Sequence, residues 1–249
     1  MCTVSIVPTD SGFRVLHSRD ELRSRSTEIE PTWRTLPSGL RACWPIDPDA
    51  GGTWVGVRED GLMLGILNLN LRDEELDPGR PPATISRGSV IPELMNESTL
   101  EDCVERLGSM RLRGMNPFRL MMAVQGDDGA RVAVARFDAM ELAFPLEVTS
   151  LVDPICLASS GLGDHLVQGR LPVFDELVRP EPSAENQAAF HQHQWPEHPE
   201  LSVLMSRAEA RTSSVTTIEV EAGETPTVLY DPIPLNDPLG DPVGAAMLQ

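Results

Sequence analysis

Short apolar runs broken by turn formers dominate the start of the chain. Residues 3–7 (TVSIV) and 13–17 (FRVLH) are rich in β-formers, and Pro8, Thr9, Asp10, Ser11 and Gly12 between them predict a hairpin. A loop centred near Asp10 and Ser11 pairs residues whose numbers sum to about 21. Cys2 then lies across from Arg19, or from Asp20 if the loop shifts the register by one. Either way, "HSRDE" returns to the side of the N-terminus.

The same pattern recurs in "GGTWVGV", the turn "REDG" and "LMLGILNLN", a second strand–turn–strand unit. Gly65 inside its second strand marks a bulge or a close backbone approach. From Ile85 the periodicity becomes helical. Pro92 breaks it, and Ser98, Thr99, Leu100 and Glu101 predict a capping box for a helix running to about Gly108. Three β-like runs follow, "FRLMMAVQ", "ARVAVARFD" and "LAFPLEV", and "ICLASSG" is a further short strand. Residues 165–178 and 185–193 read as helices separated by "RPEPS", with Pro196 ending the second, and residues 200–208 as another short one. "SVTTIEVEA", "GETP" and "TVLYDP" predict a last hairpin, and the Pro-, Gly- and Asp-containing tail from about Pro232 is expected to fray. No repeat or linker interrupts the order. Strands in hairpin blocks with helices gathered between them predict one α+β domain, with helices packed on antiparallel sheets.

A chain of 249 residues with 41% hydrophobic content can bury the core such a domain needs. No stretch approaches the roughly 18–20 apolar residues of a membrane helix, and no basic-then-apolar leader is visible, so membrane insertion is not expected and a cytoplasmic location is the simplest reading. The net charge of −18 argues against nucleic acid and anionic membranes, which would repel the chain. Every basic residue is Arg, which excludes Schiff-base and P-loop lysine chemistry. Cys2, Cys43, Cys103 and Cys156 are widely spaced and form no CxxC pair, against a zinc cluster or disulfide framework.

Cys2 carries the chemistry of interest. Without Met1, its thiol and a free α-amine would share one residue, and the amine, titrating near 7.7–8.0, could accept the proton of a thiol titrating near 8.5. Arg19 would favour the thiolate, and Asp20 could orient the amine through a hydrogen bond. The competing reading is an ordinary strand residue beside a solvated Arg-Asp pair.

"MCTVSIV", "FRVLHSRDELRSR", "GGTWVGV", "LGILNLN" and "SRG", in this order and at these intervals, resemble the NRDE protein family, also known as the transport and Golgi organisation protein 2 family. The motif here reads Ser18-Arg19-Asp20-Glu21, so its first residue departs from the family's Asn. "ASSGLGDHLVQGR" and "RTSSVTTIEV" fit later family segments more loosely. The resemblance implies a four-layer αββα sandwich of the N-terminal-nucleophile hydrolase type, as a single domain over residues 1–249. It implies Cys2 as nucleophile, Arg19 as its electrostatic partner, Asp20 as the amine-orienting acid and Asn68 as an oxyanion donor. Arg211 is carried over as a late-chain pocket arginine with Arg207 as its rival, and Arg87 of "SRG" comes with no role. The activity implied is hydrolysis of a small acyl or amide substrate with no external cofactor. The alternative is a ligand-binding or trafficking protein handling haem, lipid or acyl-CoA.

Trp54 is a candidate pocket wall, with a buried aromatic on a glycine-rich strand as its bland counterpart. His191, His193 and His198 in "HQHQWPEH" could suggest a metal, but they read better as a polar helix end, and no metal site is expected. Ser159 and Ser160 form no G-x-S-x-G elbow, and Met115, Met121 and Met122 read as core filler. The sequence sets no oligomeric state.

Overall fold

The computed structural model describes residues 2–143 and 145–234. Met1, and the tail beyond Pro234 that the sequence expects to fray, lie outside the described residues. The first hairpin is β1 (Cys2–Pro8) and β2 (Gly12–Leu22), and its register places Cys2 opposite Arg19. On its other side β1 pairs with β10 (Ile155–Ser159), setting Cys2 opposite Ser159. The last hairpin, β11 (Ala210–Glu221) and β12 (Thr227–Pro232), joins β2, which completes a five-stranded antiparallel sheet in the order β10-β1-β2-β11-β12.

The second sheet is antiparallel with seven strands in chain order: β3 (Ile29–Thr35), β4 (Arg41–Ile46), β5 (Val55–Arg58), β6 (Met63–Asn68), β7 (Phe118–Gly126), β8 (Gly129–Phe137) and β9 (Thr149–Ser150). The hydrophobic pattern does not announce β3, because that strand is largely exposed and carries Pro31. Helices α1 (Val90–Leu94) and α2 (Leu100–Ser109) cover this sheet, while α3 (Arg170–Leu177) and α4 (Ala184–His191) cover the five-stranded one. The order of layers is therefore helix, sheet, sheet, helix, as expected for an α+β sandwich.

Four local expectations need correction. Pro92 does not break a helix: it lies in the first turn of α1, where its missing N–H has no intrahelical acceptor to lose. The capping box is one residue late, with Thr99 accepting from the Asp102 N–H and the Asp102 carboxylate accepting from the Thr99 N–H. "LAFPLEV" supplies only a bridge from Leu142 to Phe137, and the paired residues are the following Thr149 and Ser150. Residues 200–208 form turns, since Ser206 and Arg207 are drawn into pairing with the start of β11.

The main core fills the space between the sheets and under α1 and α2. Val4, Ile6, Phe13 and Val15 meet Val55, Leu64, Met121 and Met122 there. Gly65 is a close approach and no bulge, since a Cβ at that position would stand 3.4 Å from the His17 ring of the opposite sheet. Burial drives the His17 pKa down to about 3, so the ring is neutral.

A second, smaller core of Val7, Phe174, Val178, Phe190 and Val203 lies beneath α3 and α4. Around it, the outward face of β1 and β2 is polar yet buried. His191 bridges Ser5 and Ser18, at 2.7 Å from each hydroxyl. Gln187 accepts from Arg14 at 2.8 Å and donates to the Ser5 hydroxyl at 2.8 Å. Helix α4 is thereby fixed in one register, because any slip would strand these groups without partners. His191, the last residue of α4, is thus a polar helix end as expected, but a buried one with both ring nitrogens engaged. Among the described residues, no helix is long and apolar enough to cross a membrane.

Candidate active site

Strand alternation sets the site. On the hairpin, Cys2 and Arg19 form a directly opposed pair whose side chains share the face turned toward the seven-stranded sheet, and Asp20 belongs to the opposite face. Cys2 is 5% exposed and borders a cavity of about 510 Å³. Trp54, Ile66, Asn68, Arg87, Arg207 and Gly161 are among the residues that line it.

Of the residues expected from sequence, Cys2, Arg19, Asp20, Asn68 and Trp54 all border this one cavity. Arg211 does not. It faces a separate depression, where its guanidinium donates to the carbonyls of Ile233 and Pro234, each at 2.8 Å. Arg207 is the late-chain arginine on the Cys2 cavity. The two are separated by the bend that leads into β11, so they share no helix and face different ways.

The Arg19 guanidinium is held by three carboxylates, at 3.0 Å from Glu21, 2.7 Å from Glu28 and 3.0 Å from Asp47. It stacks on the Trp54 ring, 4.3 Å from the centroid. Asp47 also pairs with Arg25, and Arg25 with Asp49. The expected pull of Arg19 on the Cys2 thiolate is correspondingly weak. Burial is the larger influence and, with the Asp20 charge, pushes the Cys2 thiol above its ordinary value; the N-terminal ammonium charge, then Arg19 and the Asp20 backbone N–H, only partly oppose it. The thiol is neutral at neutral pH.

Asp20 is buried against α3. Its Oδ1 accepts from the Thr212 hydroxyl at 2.7 Å, and its Oδ2 lies 3.7 Å from the wholly buried Arg170 guanidinium. Burial raises its pKa, and Arg170 is the chief opposing charge. Arg170 in turn donates to the Thr3 hydroxyl at 2.7 Å and the Leu201 carbonyl at 3.0 Å. Asn68, at the end of β6, is half-buried, and its amide has no hydrogen-bond partner among the described residues, so it is free to serve a ligand. Two residues along, the Asn70 amide donates to the Ser159 hydroxyl at 3.1 Å and to Asp164 at 3.2 Å, and Asp164 pairs with Arg119 at 2.9 Å. This cluster fixes the loop carrying Gly161 beside Cys2. The i, i+2 spacing of Asn68 and Asn70 in "LNLN" was the available signal for Asn70.

Ser18, which stands where the family motif has Asn, points to α4 and bonds His191. The departure therefore leaves the cavity wall unchanged. Gly52 and Gly88 pack backbone to backbone, and a Cβ on Gly52 would come within 2.6 Å of the Gly88 Cα. Backbone cannot yield as a flexible side chain can. Gly52→Ala is expected to cost about 1–3 kcal/mol and lower Tm by about 2–12 °C in a thermal melt.

Comparisons with known proteins bear on the fold and the family. No curated protein matches the chain in sequence. Among solved structures it is similar to the Caenorhabditis elegans ortholog of N-acylethanolamine-hydrolyzing acid amidase, with a TM-score of 0.53 and 11% identity over 92% of this chain and 100% of that one. It is also similar to the C2A mutant of the conjugated bile acid hydrolase from Clostridium perfringens, with a TM-score of 0.53 and 13% identity over 93% of this chain and 89% of that one. At such identities the likeness establishes the fold, that of the N-terminal-nucleophile hydrolases. Residues 1–144 match the Transport and Golgi organisation 2 family, and the chain belongs to that family.

Proposed function

We propose that, once Met1 is removed, the protein acts as a cysteine amidohydrolase on small acyl amides or related acyl compounds. The observation that carries this reading is Cys2 at the head of β1, bordering a cavity that also holds an uncommitted Asn68 amide. The two solved amidohydrolases of the same fold support it.

The neutral thiol shapes the chemistry. As the sulfur attacks the substrate carbonyl, its proton passes to the Cys2 α-amine, and the Asn68 amide donates to the developing oxyanion. Collapse gives a thioester on Cys2, and the proton leaves with the departing amine. Water, deprotonated by the same α-amine, then attacks the thioester and releases the acid, returning the proton to sulfur. A preformed thiolate is not required, which suits a thiol whose proton is held by burial.

The test is mass spectrometry. Intact mass of the purified native protein is expected to lack Met1. A panel of acyl amides and thioesters, quenched in acid, is expected to add one acyl group to the peptide bearing Cys2. Retained Met1 defeats the mechanism, and an intact Cys2 that binds substrates but never acylates would favour a ligand-binding role.

A further inference from the structure

Four arginines border the Cys2 cavity: Arg19, Arg25, Arg87 and Arg207. Three have a carboxylate within 4 Å, namely Arg19 with Glu21, Glu28 and Asp47, Arg25 with Asp47 and Asp49, and Arg207 with Glu209. Arg87 has none among the described residues, although the chain carries 38 acidic residues against 20 basic ones. Its one side-chain hydrogen bond among those residues runs from Nη1 to the Pro117 carbonyl, at 2.8 Å.

Arg87 is also held in place. The Thr53 N–H donates to the Gly88 carbonyl at 3.1 Å, and the Gly52–Gly88 contact locks the adjoining backbone against the loop that carries Trp54. A second cavity of about 570 Å³ adjoins the first, and Arg87 and Gly161 border both. That second chamber mixes Leu71 and Leu162 with Arg80, His165 and the acidic Asp73 and Glu74.

We propose that Arg87 is a specificity-determining residue that binds a carboxylate on the substrate where the two chambers meet, with the acyl carbonyl at Cys2. The placement of the carbonyl rests on the amidohydrolase reading; the anion site does not. A planar guanidinium with one corner anchored and the rest open matches a carboxylate, which it can engage through two parallel hydrogen bonds. The anion carries a single charge. Glu21 lies close enough to Arg87 to interact with it, and a single, partly balanced cation in a chain of net charge −18 favours a monoanion over a dianion such as phosphate.

Binding by Cys2→Ala protein separates this inference from the hydrolase reading, because that variant needs no turnover. Isothermal titration would compare N-octanoylglycine with N-octanoylglycine methylamide, which share the acyl amide and differ only in the end group, an ionised carboxylate in one and a neutral amide in the other. The carboxylate is expected to bind about 10- to 100-fold more tightly, the range of charge-assisted hydrogen bonds. Arg87→Gln keeps a donor for Pro117, and adding it is expected to abolish the preference while leaving the methylamide unaffected. Arg87→Lys is expected to restore part of it. Equal binding of the two ligands, a preference that survives Arg87→Gln, or tighter binding of the matching phosphonate overturns the proposal. A carboxylate preference, together with a wild-type protein that is acylated by no member of the panel of acyl amides and thioesters, would defeat the hydrolase reading and leave the anion site standing.

Discussion

Cys2→Ala is expected to lower kcat/KM for any hydrolysed acyl amide by at least about 10⁴-fold, the scale seen when a covalent nucleophile is deleted. The other thiols cannot substitute for it. Burial pushes Cys43 up to about 11 and Cys103 and Cys156 up to about 12, and none of the three borders the Cys2 cavity. The change deletes one sulfur at a strand end, so far-UV circular dichroism should be unchanged. Wild-type pH dependence provides a companion measurement. Burial holds the Cys2 thiol above its ordinary value and so keeps its proton on sulfur, and attack then requires an unprotonated α-amine, whose ordinary range is about 7.7–8.0. The kcat/KM should therefore rise about tenfold per pH unit below the amine pKa and level off above it. A flat profile from pH 6 to 9 would instead indicate a resident thiolate.

Arg170→Met is expected to produce the largest loss of stability. Arg170 is wholly buried between α3 and the five-stranded sheet, and removing it strips Asp20 of its chief buried countercharge. Breaking a buried pair in this way costs about 3–5 kcal/mol, which lowers Tm by about 6–20 °C in a protein of this size. The sign of the pH effect follows from Asp20. Its folded pKa is already raised, and losing Arg170 raises it further, so the neutral carboxyl is tolerated and the ionised one penalised. A raised group contributes its stability below the unfolded pKa, near 3.9, and loses it as pH climbs through the folded value. The deficit of Arg170→Met should therefore be smallest near pH 4 and grow toward neutrality. Urea titrations at several pH values read this directly, and a deficit that is constant with pH would mean Asp20 is not the group left exposed to the penalty.

Much of the architecture is legible locally. The turn cluster from Pro8 to Gly12 sets how β1 meets β2 to within one residue, which leaves Arg19 or Asp20 opposite Cys2, and the structure settles the register on Arg19. The same holds for β5 with β6 and β7 with β8, where short turns leave little freedom in register. The β3–β4 hairpin is illegible because an exposed edge strand needs no hydrophobic pattern. Arg211 was placed wrongly for a related reason: without knowing where the chain bends into β11, two arginines four residues apart cannot be assigned to a face.

The sequence by itself determined the β1–β2, β5–β6, β7–β8 and β11–β12 hairpins and narrowed the residue facing Cys2 to Arg19 or Asp20, since each depends on residues within a turn or two of one another. The alternation in "CTVSIV" even reads as a strand with one wet face. Only the tertiary structure decided that both faces are buried, that Glu28 and Asp47 compensate Arg19, that Arg170 lies under Asp20, and that Arg87, with no carboxylate within 4 Å among the described residues, stands between two chambers. These are questions of charge and solvent. Electrostatic interaction depends on distance through space and on burial, both set by contacts between residues far apart in the chain.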